Sequence, residues 1–268
     1  MLLPSPDLPL DIVYVDDSLV IVDKRAGIPC HPLRPDESGT LMNAVVARFP
    51  ETAAAGPPRE GGLAHRIDND TSGLVVIART SAIREALRAL FSAGKVGKRY
   101  RAWVVGEAPP SGEINYPLRQ KTKGGPRVEV ARSLHAKGAR RAFTRFHRVF
   151  EAPNSGPRSE PAQASREHYR SWINERVGAP ADAKMEPPAV YSCVDVLPTT
   201  GHRHQIRVHL SAIGHPIVGD VLYGGPPAPV LLLRAVELRF IHPSTGKLLV
   251  VVAAAGSASN SLTVPRTG

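Results

Sequence analysis

Cysteine, aromatic residues and long apolar runs are all scarce in this sequence. Cys30 and Cys193 are the only cysteines among 268 residues, too few for a disulfide framework, so a reducing, cytoplasmic setting is expected. The longest apolar stretches, around Val230–Leu233 and Leu248–Ala255, fall far short of the roughly 20 residues that a membrane-spanning helix needs. The N-terminus does not have the cationic start and apolar run of a secretory signal. The sequence therefore excludes a disulfide-rich secreted scaffold and predicts no helical membrane protein.

Acidic residues are outnumbered, and the imbalance is local. The chain has 34 Lys and Arg against 24 Asp and Glu, a net charge of +10, and a pI of about 10.0. Residues 79–148 hold 17 basic and four acidic residues, whereas residues 1–78 hold six basic and eleven acidic ones. A clustered excess of Lys and Arg favours a polyanionic partner and is typical of nucleic-acid-binding proteins. The alternative is a solvated basic face without a partner.

Short strand-like segments outnumber helical ones and do not alternate strictly with them. The clearest strands are the pair Asp11–Val15 and Leu19–Asp23. Helices are predicted over Leu41–Phe49, after a cap at Ser81, and over His202–Ile213. This order predicts an α+β fold, with a mixed, largely antiparallel sheet and flanking helices.

The domain organisation expected from this pattern is one domain over residues 1–256 and a flexible tail over 257–268. A Pro-rich segment at about 152–188 is interpreted as a surface insertion or linker. The basic stretch 120–141 contains three glycines and has weak apolar periodicity, so we predict an exposed hairpin or long loop there.

Three polar clusters are candidates for chemistry. The first, His65–Gly73, stands directly before the apolar run Leu74–Ala78, at the mouth of a predicted strand. Its alternative interpretation is an Asx or Ser/Thr turn whose side chains satisfy local amides.

The third cluster, Lys98–Trp103, places an aromatic ring between cations, which suits stacking on a base. Strand alternation puts Lys98 and Tyr100 on one sheet face. The alternative is that Tyr100 is an ordinary sheet residue whose hydroxyl is exposed to solvent.

The second cluster, Gly201–His209, contains three histidines and could in principle bind a metal ion. His204 and His209 are five residues apart, however, and no HExxH or CxxC spacing occurs, so a zinc site is only a minor hypothesis. Arg203 and Arg207, four residues apart, would share a helix face and point at one anion. The alternative is an exposed helix face with unpaired charge.

Together these clusters resemble the RluA-type family of RNA pseudouridine synthases. His65–Gly73 is similar to the family pattern His-Arg-Leu-Asp-x-x-Thr-Ser-Gly, with Ile67 in place of Leu. Lys98–Ala102 is similar to Lys-x-Tyr-x-Ala, and Gly201–His209 to Gly-Arg-x-His-Gln-Ile/Leu-Arg-x-His. Gly214–Asp220 is similar to Gly-His-Pro-Ile-x-Gly-Asp. Several long motifs in a fixed order make the resemblance far more specific than one short pattern.

The resemblance implies an RNA pseudouridine synthase that uses no cofactor and no metal. In that reaction the C–N glycosidic bond of a uridine breaks and a C–C bond forms. Asp68 is the matching essential aspartate, through either glycal formation or covalent addition to the base. Arg207 matches the arginine that pairs with this aspartate and would hold it ionised. Tyr100 matches the tyrosine that stacks on the target uracil.

The resemblance also implies how RNA is held. Arg66 matches the arginine that fills the space vacated by a flipped base, because a stacked uridine is inaccessible. The stretch 119–141 resembles a loop that grips the RNA backbone. Further RNA contacts are expected from polar side chains of these motifs and this stretch, namely His65, Thr71, Lys98, Lys121, Lys123, Arg127, His204 and Gln205.

The chain departs from the family pattern in places that concern the RNA target. His202 and Arg203 replace the usual Arg and Thr or Ser, and Arg234 stands where a His is usual. No S4-like RNA-binding domain is expected before the first strand, and a monomer is expected. Ribosomal RNA and transfer RNA both fit as substrates. The competing hypotheses are a catalytically silent RNA-binding module of this fold and a metal-dependent hydrolase built on the three histidines.

Overall fold

The computed structural model describes residues 2–122, 124–151 and 190–253. The chain forms two compact units, one comprising Met1–Gly97 with Ala235–Gly268 and the other Lys98–Arg234. The predicted insertion at 152–188, the tail at 257–268 and Lys123 lie outside the described residues. The predicted domain boundaries stay predictions.

The described elements are short strands with few helices. The helices are α1 (Leu41–Arg48), α2 (Ser81–Ser92) and α3 (Gln205–Ala212), with 3-10 turns at Pro50–Ala55 and Val221–Tyr223. The strands are β1 (Asp11–Val15), β2 (Leu19–Lys24), β3 (Ser72–Ala78), β4 (Gly97–Val105), β5 (Ser111–Ile114), β6 (Leu118–Gln120), β7 (Val128–Val130), β8 (Thr144–Glu151), β9 (Tyr191–Pro198), β10 (Leu233–Ile241) and β11 (Leu248–Val252).

The first unit is a sheet in the order β1–β2–β3–β10, with β11 paired to β10. The pairs β1–β2, β2–β3 and β10–β11 are antiparallel. Every residue of β3 is buried, because this apolar run is covered on both faces. Leu87 of α2 packs into the same core, together with Leu19, Leu74 and Phe240. The N-cap of α2 is Thr80, whose side chain accepts from the Ile83 N–H, rather than the predicted Ser81.

The second unit is an antiparallel sheet in the order β4–β9–β8–β5, with a separate two-stranded sheet formed by β6 and β7. The β6–β7 pair confirms a hairpin at the start of the basic stretch. A small apolar cluster joins it to α3, through Leu118, Val128, Val208 and Tyr223. No helix in the described ranges is long and apolar enough to cross a membrane. The α+β class with a largely antiparallel sheet is confirmed.

Candidate active site

The loop that presents Asp68 is fastened through its backbone. The carbonyl of Ile67 accepts from the Cys30 thiol at 3.4 Å, and that of Asp68 accepts from the Thr71 N–H at 3.1 Å. The carbonyl of Asn69 accepts from the Gly27 N–H at 2.9 Å and from a lysine described below. Three successive carbonyls therefore have donors, which limits the positions that the half-buried Asp68 side chain can adopt.

Lys24 secures this loop from inside the unit. Lys24 is the last residue of β2, and it is 1% exposed. Its Nζ donates to the backbone carbonyls of Arg25 at 2.9 Å, Ile28 at 2.7 Å and Asn69 at 2.8 Å. Burial lowers the pKa of Lys24 to about 8, against the attraction of the Asp70 and Asp68 carboxylates, which raises it. Sequence reasoning missed this residue, because a lysine at the end of a strand gives no sign that it points inward.

Gly73, the second residue of β3, lies just after the Asp68 loop at a point that excludes a side chain. Its φ is +111°, and a Cβ atom there would lie 2.2 Å from the carbonyl oxygen of Ala235. Only glycine combines this backbone conformation with so close an approach. The glycine of the sequence motif therefore fixes where the loop ends relative to the buried strand.

Three other side chains of this motif occupy different environments. His65 stacks on Phe91 with ring centroids 4.3 Å apart, and its Nε2 accepts from the Val76 N–H at 3.1 Å. Thr71 is buried. RNA contact by His65 and Thr71 therefore stays a prediction without geometric support. Arg66 is exposed, with one terminal nitrogen 3.5 Å from His31 Nε2.

Strand β4 of the second unit separates its side chains as predicted. Arg99 and Arg101 share a face, and both donate to the buried Asp195 of β9, at 2.9 Å from Arg99 and at 2.7 and 3.0 Å from Arg101. Lys98 and Tyr100 alternate with them. Lys98 Nζ donates to the Thr200 carbonyl at 3.2 Å, and burial lowers its pKa. Tyr100 is half-buried.

The start of α3 differs from the sequence prediction. The helix begins at Gln205 rather than His202, because His204 adopts a left-handed conformation with φ of 54°. Gln205 is buried, and its oxygen accepts from Thr200 Oγ1 at 2.7 Å and from the His202 N–H at 3.2 Å. Its nitrogen donates to the Phe143 carbonyl and to Thr144 Oγ1, both at 3.0 Å. The amide is thus occupied by protein partners, which supports a structural role over the predicted RNA contact.

Arg207 is held by a carboxylate of its own unit. Its Nε and one terminal nitrogen donate to the two oxygens of Asp220 at 2.8 and 2.7 Å, and both side chains are buried. The predicted helix face shared by Arg203 and Arg207 is wrong. Arg203 precedes the helix, is exposed and donates to the Gly125 carbonyl at 3.2 Å. The Arg207–Asp68 pairing stays a prediction, and Asp220 is a functional candidate that spacing alone did not reveal.

The three histidines of the second cluster have separate hydrogen-bond partners. His202 Nε2 lies 2.6 Å from the Arg141 carbonyl, and His204 Nδ1 lies 2.8 Å from the Tyr223 hydroxyl. His209 lies 2.9 Å from both Thr144 Oγ1 and the Tyr116 carbonyl. Within the described ranges, no group of three or more His, Cys, Asp or Glu residues is arranged to hold a metal ion. This geometry does not favour a metal-dependent hydrolase.

The basic stretch presents its charges to solvent. Residues 119–141 contain eight Lys and Arg but one acidic residue, Glu129, which pairs with Arg119 at 2.7 Å. Lys121 and Arg127 are exposed, and the Arg127 guanidinium lies 5.8 Å from the Tyr223 ring centroid. The other exposed cations in the described part of this stretch are Arg132, Lys137, Arg140 and Arg141.

Comparison with known protein families gives one match that covers most of the chain. Residues 18–212 match the family model described as RNA pseudouridylate synthase. The ribosomal large subunit pseudouridine synthase D of Yersinia pestis is 30% identical over 251 residues, which cover 90% of this chain. The chain spans 63% of that relative, less than two thirds of its length. The protein of the same name from Pseudomonas aeruginosa is 32% identical over 258 residues, covering 90% of this chain and 67% of the relative.

Solved structures show the same fold at lower sequence identity. The structure titled human RNA pseudouridylate synthase domain containing 1 superposes with a TM-score of 0.65 at 23% identity, covering 92% of this chain and 83% of the other. The human domain containing 4 protein superposes with a TM-score of 0.61 at 20% identity, covering 91% of this chain and 88% of the other.

Proposed function

Because the chain belongs to the RNA pseudouridylate synthase family, we propose that it converts specific uridines in RNA to pseudouridine. The observation that carries this proposal is the Asp68 loop, which has the family motif and is fastened at three successive carbonyls. In the reaction the N1–C1′ bond breaks and a C5–C1′ bond forms. The C5 proton leaves, and N1 gains a proton. The resemblance implies that no cofactor or metal takes part.

Asp68 is the proposed catalytic carboxylate. It acts on the nucleoside either as a base that leads to a glycal or as a nucleophile that adds covalently, and both routes need an ionised carboxylate. The positive charge of Lys24 favours that state by electrostatic attraction. The fastened loop also reduces the entropy lost when carboxylate and nucleoside align.

Tyr100 and Arg207 have the next roles in the proposal. The Tyr100 ring stacks on the extruded uracil, and its half-buried position on β4 limits its own motion. Arg207 supplies the cation that keeps Asp68 ionised, and the two hydrogen bonds that it donates to Asp220 fix the plane of its guanidinium.

RNA binding is assigned to the exposed cations. Lys121, Arg127 and their neighbours on the basic stretch contact phosphates, where their positive charge displaces counterions. Arg66 is exposed beside Asp68 in the sequence and fills the gap that a flipped base leaves. Lys98 and Gln205 have backbone partners in the protein, so we assign them to support the site rather than to bind RNA.

The proposed substrate is the RNA of the large ribosomal subunit, by analogy with the names of the relatives. Transfer RNA is the other substrate consistent with the basic surface. A cytoplasmic location and a monomeric state complete the proposal.

The test uses the purified chain and RNA transcripts labelled with tritium at C5 of uridine. Pseudouridine formation releases this tritium to water, and nucleoside chromatography identifies the product. We expect release from the large-subunit ribosomal transcript but not from the transfer RNA transcripts. Release from transfer RNA alone would reassign the substrate. RNA binding without release from either transcript would indicate a silent RNA-binding module and contradict the proposal.

A further inference from the structure

Tyr223 lies at a point where several parts of the second unit meet. It ends the 3-10 turn Val221–Tyr223 and is 8% exposed. Its hydroxyl accepts from the Val128 N–H at 3.0 Å and lies 2.8 Å from His204 Nδ1. Its carbonyl accepts from Ser211 Oγ at 2.7 Å. The residue is therefore tied to β7 of the hairpin and to both ends of α3.

The same ring is also close to the guanidinium groups of two arginines with different proposed roles. The Arg207 guanidinium is 5.2 Å from the ring centroid, and that of Arg127 is 5.8 Å from it. Both distances are within the range of cation–π attraction. Arg207 is buried and forms an ion pair with Asp220, whereas Arg127 is exposed on the hairpin. One aromatic ring thus contacts the proposed catalytic cation and a proposed phosphate-binding cation.

The hairpin needs this attachment for its own stability. An isolated two-stranded hairpin is marginally stable in water. Here β6 and β7 form their own sheet, and the cluster of Leu118, Val128, Val208 and Tyr223 packs them against α3. A displacement of β7 would therefore move the Val128 N–H and, through the Tyr223 hydroxyl, the start of the helix that bears Arg207.

From these contacts we propose that Tyr223 is a positioning residue that couples RNA contact by the hairpin to the orientation of Arg207. The inference rests on the proposed function, because Arg207 is its catalytic cation. The hydroxyl joins β7 to His204 at the start of α3, and the ring contacts the guanidinium directly. When RNA binds the hairpin and fixes its position, these contacts fix the orientation of the Arg207 guanidinium.

The test compares Tyr223→Phe, which removes the hydroxyl and keeps the ring, with Tyr14→Phe as matched control. Tyr14 donates to Asp16 at 2.7 Å in the other unit and has no part in the proposed site. At saturating protein, we expect the single-turnover rate of Tyr223→Phe on the large-subunit ribosomal transcript to fall about tenfold or more, as for a slightly misplaced catalytic group. Its Kd for the transcript should stay within about twofold, and the control should match the wild type.

A second readout does not require catalysis. Hydrogen exchange of the backbone amides in residues 205–212 should slow when the transcript binds the wild type or Tyr14→Phe, and should not slow for Tyr223→Phe. This comparison remains decisive even if no protein makes pseudouridine, a result that would refute the proposed function alone. Wild-type rate and protection in Tyr223→Phe would overturn the coupling. So would a loss of RNA affinity as large as the loss of rate.

If Tyr223→Phe does not fold, Arg127→Gln tests the same link from the exposed side. We expect it to fold, because its side chain is exposed, and to reduce the RNA-induced protection of residues 205–212. Unchanged protection in Arg127→Gln would then overturn the proposal.

Discussion

A carboxylate becomes useful for catalysis when the backbone around it cannot relax. Asp68 illustrates this at the scale of one residue, because the carbonyls of Ile67, Asp68 and Asn69 all accept hydrogen bonds from within the first unit. The side chain is thereby presented by a loop whose own polar groups are satisfied. A change at position 68 should therefore affect chemistry far more than folding.

Asp68→Asn tests this separation of chemistry from binding. The amide has the shape of the carboxylate but is neither a base nor a nucleophile, so we expect tritium release to fall by about a thousandfold or more. RNA affinity should stay within a few fold, because no phosphate contact is lost. Filter binding and tritium release on one preparation measure both. Near-normal turnover would show that another group does the chemistry.

Lys24→Met tests the anchor beneath the loop. The substitution keeps the length of the side chain but removes three hydrogen bonds to backbone carbonyls, each worth about 1 kcal/mol. We expect the free energy of unfolding in urea to fall by about 3 kcal/mol. Lys95→Met, at an exposed position, is the matched control and should change it little. Equal stability of the two variants would show that the Lys24 hydrogen bonds contribute little.

His204 gives a prediction on pH. Burial, together with the charges of Arg207 and Arg203, lowers the pKa of His204 from 6.5 to about 4. Between these values the unfolded chain binds a proton that the folded chain does not, so the free energy of unfolding declines as the pH falls from 6.5 towards 4. Above pH 6.5 His204 is neutral in both the folded and the unfolded chain, so it causes no loss in the free energy of unfolding there.

His204→Asn should show a shallower decline over this range in urea unfolding. Asparagine tolerates the left-handed conformation at this position and does not titrate. His135→Asn, at an exposed position, is the control and should follow the wild-type pH profile. Parallel profiles for His204→Asn and the wild type would contradict the assignment.

At the scale of elements, the basic hairpin and α3 are one structural assembly. Neither β6–β7 nor an eight-residue helix is stable alone, and each buries its apolar side chains against the other. The solvent-facing surface of the hairpin has charged side chains, among them Lys121 and Arg127. This division explains how a segment with so little apolar periodicity has a defined structure.

Neutralising the hairpin should weaken RNA binding through its electrostatic part. For Lys121→Gln, Lys123→Gln and Arg127→Gln combined, we expect the slope of log K against log salt to become shallower by about 2, at roughly 0.7–0.9 per phosphate contact. The matched control neutralises three exposed cations of the other unit, Arg34, Lys95 and Lys247. Identical slopes for both triple variants would show that the hairpin does not touch phosphate.

At the scale of the whole molecule, charge is distributed unequally along the chain. Residues 79–148 have a net charge of +13, from 17 basic and four acidic residues, and residues 1–78 have −5, from six and eleven. The Asp68 motif thus belongs to an acidic part of the sequence, while the phosphate-binding candidates belong to a basic part. In the proposed function, RNA attraction and the catalytic carboxylate come from different segments, so a substitution in one need not disturb the other.

Treatment with a chelator tests the chemistry of the whole molecule. The proposed reaction uses a carboxylate and no metal, and His202, His204 and His209 hydrogen-bond to separate partners. We therefore expect tritium release to be unchanged after dialysis against EDTA, provided that the transcript is refolded identically for treated and untreated protein. Loss of activity that stoichiometric zinc restores would favour the metal-dependent alternative.

The sequence by itself determined those features that depend on neighbouring residues. The strand pair at residues 11–24, the helix that starts at Leu41 and the alternation along β4 follow from local periodicity, and the α+β class follows from their order. Motif order also identified the family and placed Asp68, Tyr100 and Arg207 among its candidate site residues.

Only the tertiary structure decided which side chains are buried and what they bind there. It placed Lys24 beneath the Asp68 loop, joined Arg207 to Asp220 and tied Tyr223 to the hairpin. It also moved the start of α3 to Gln205, through the left-handed backbone of His204. These pairings join residues distant in the chain, and local propensity has no information about them. Polar groups removed from water must find partners wherever the fold brings donors and acceptors together.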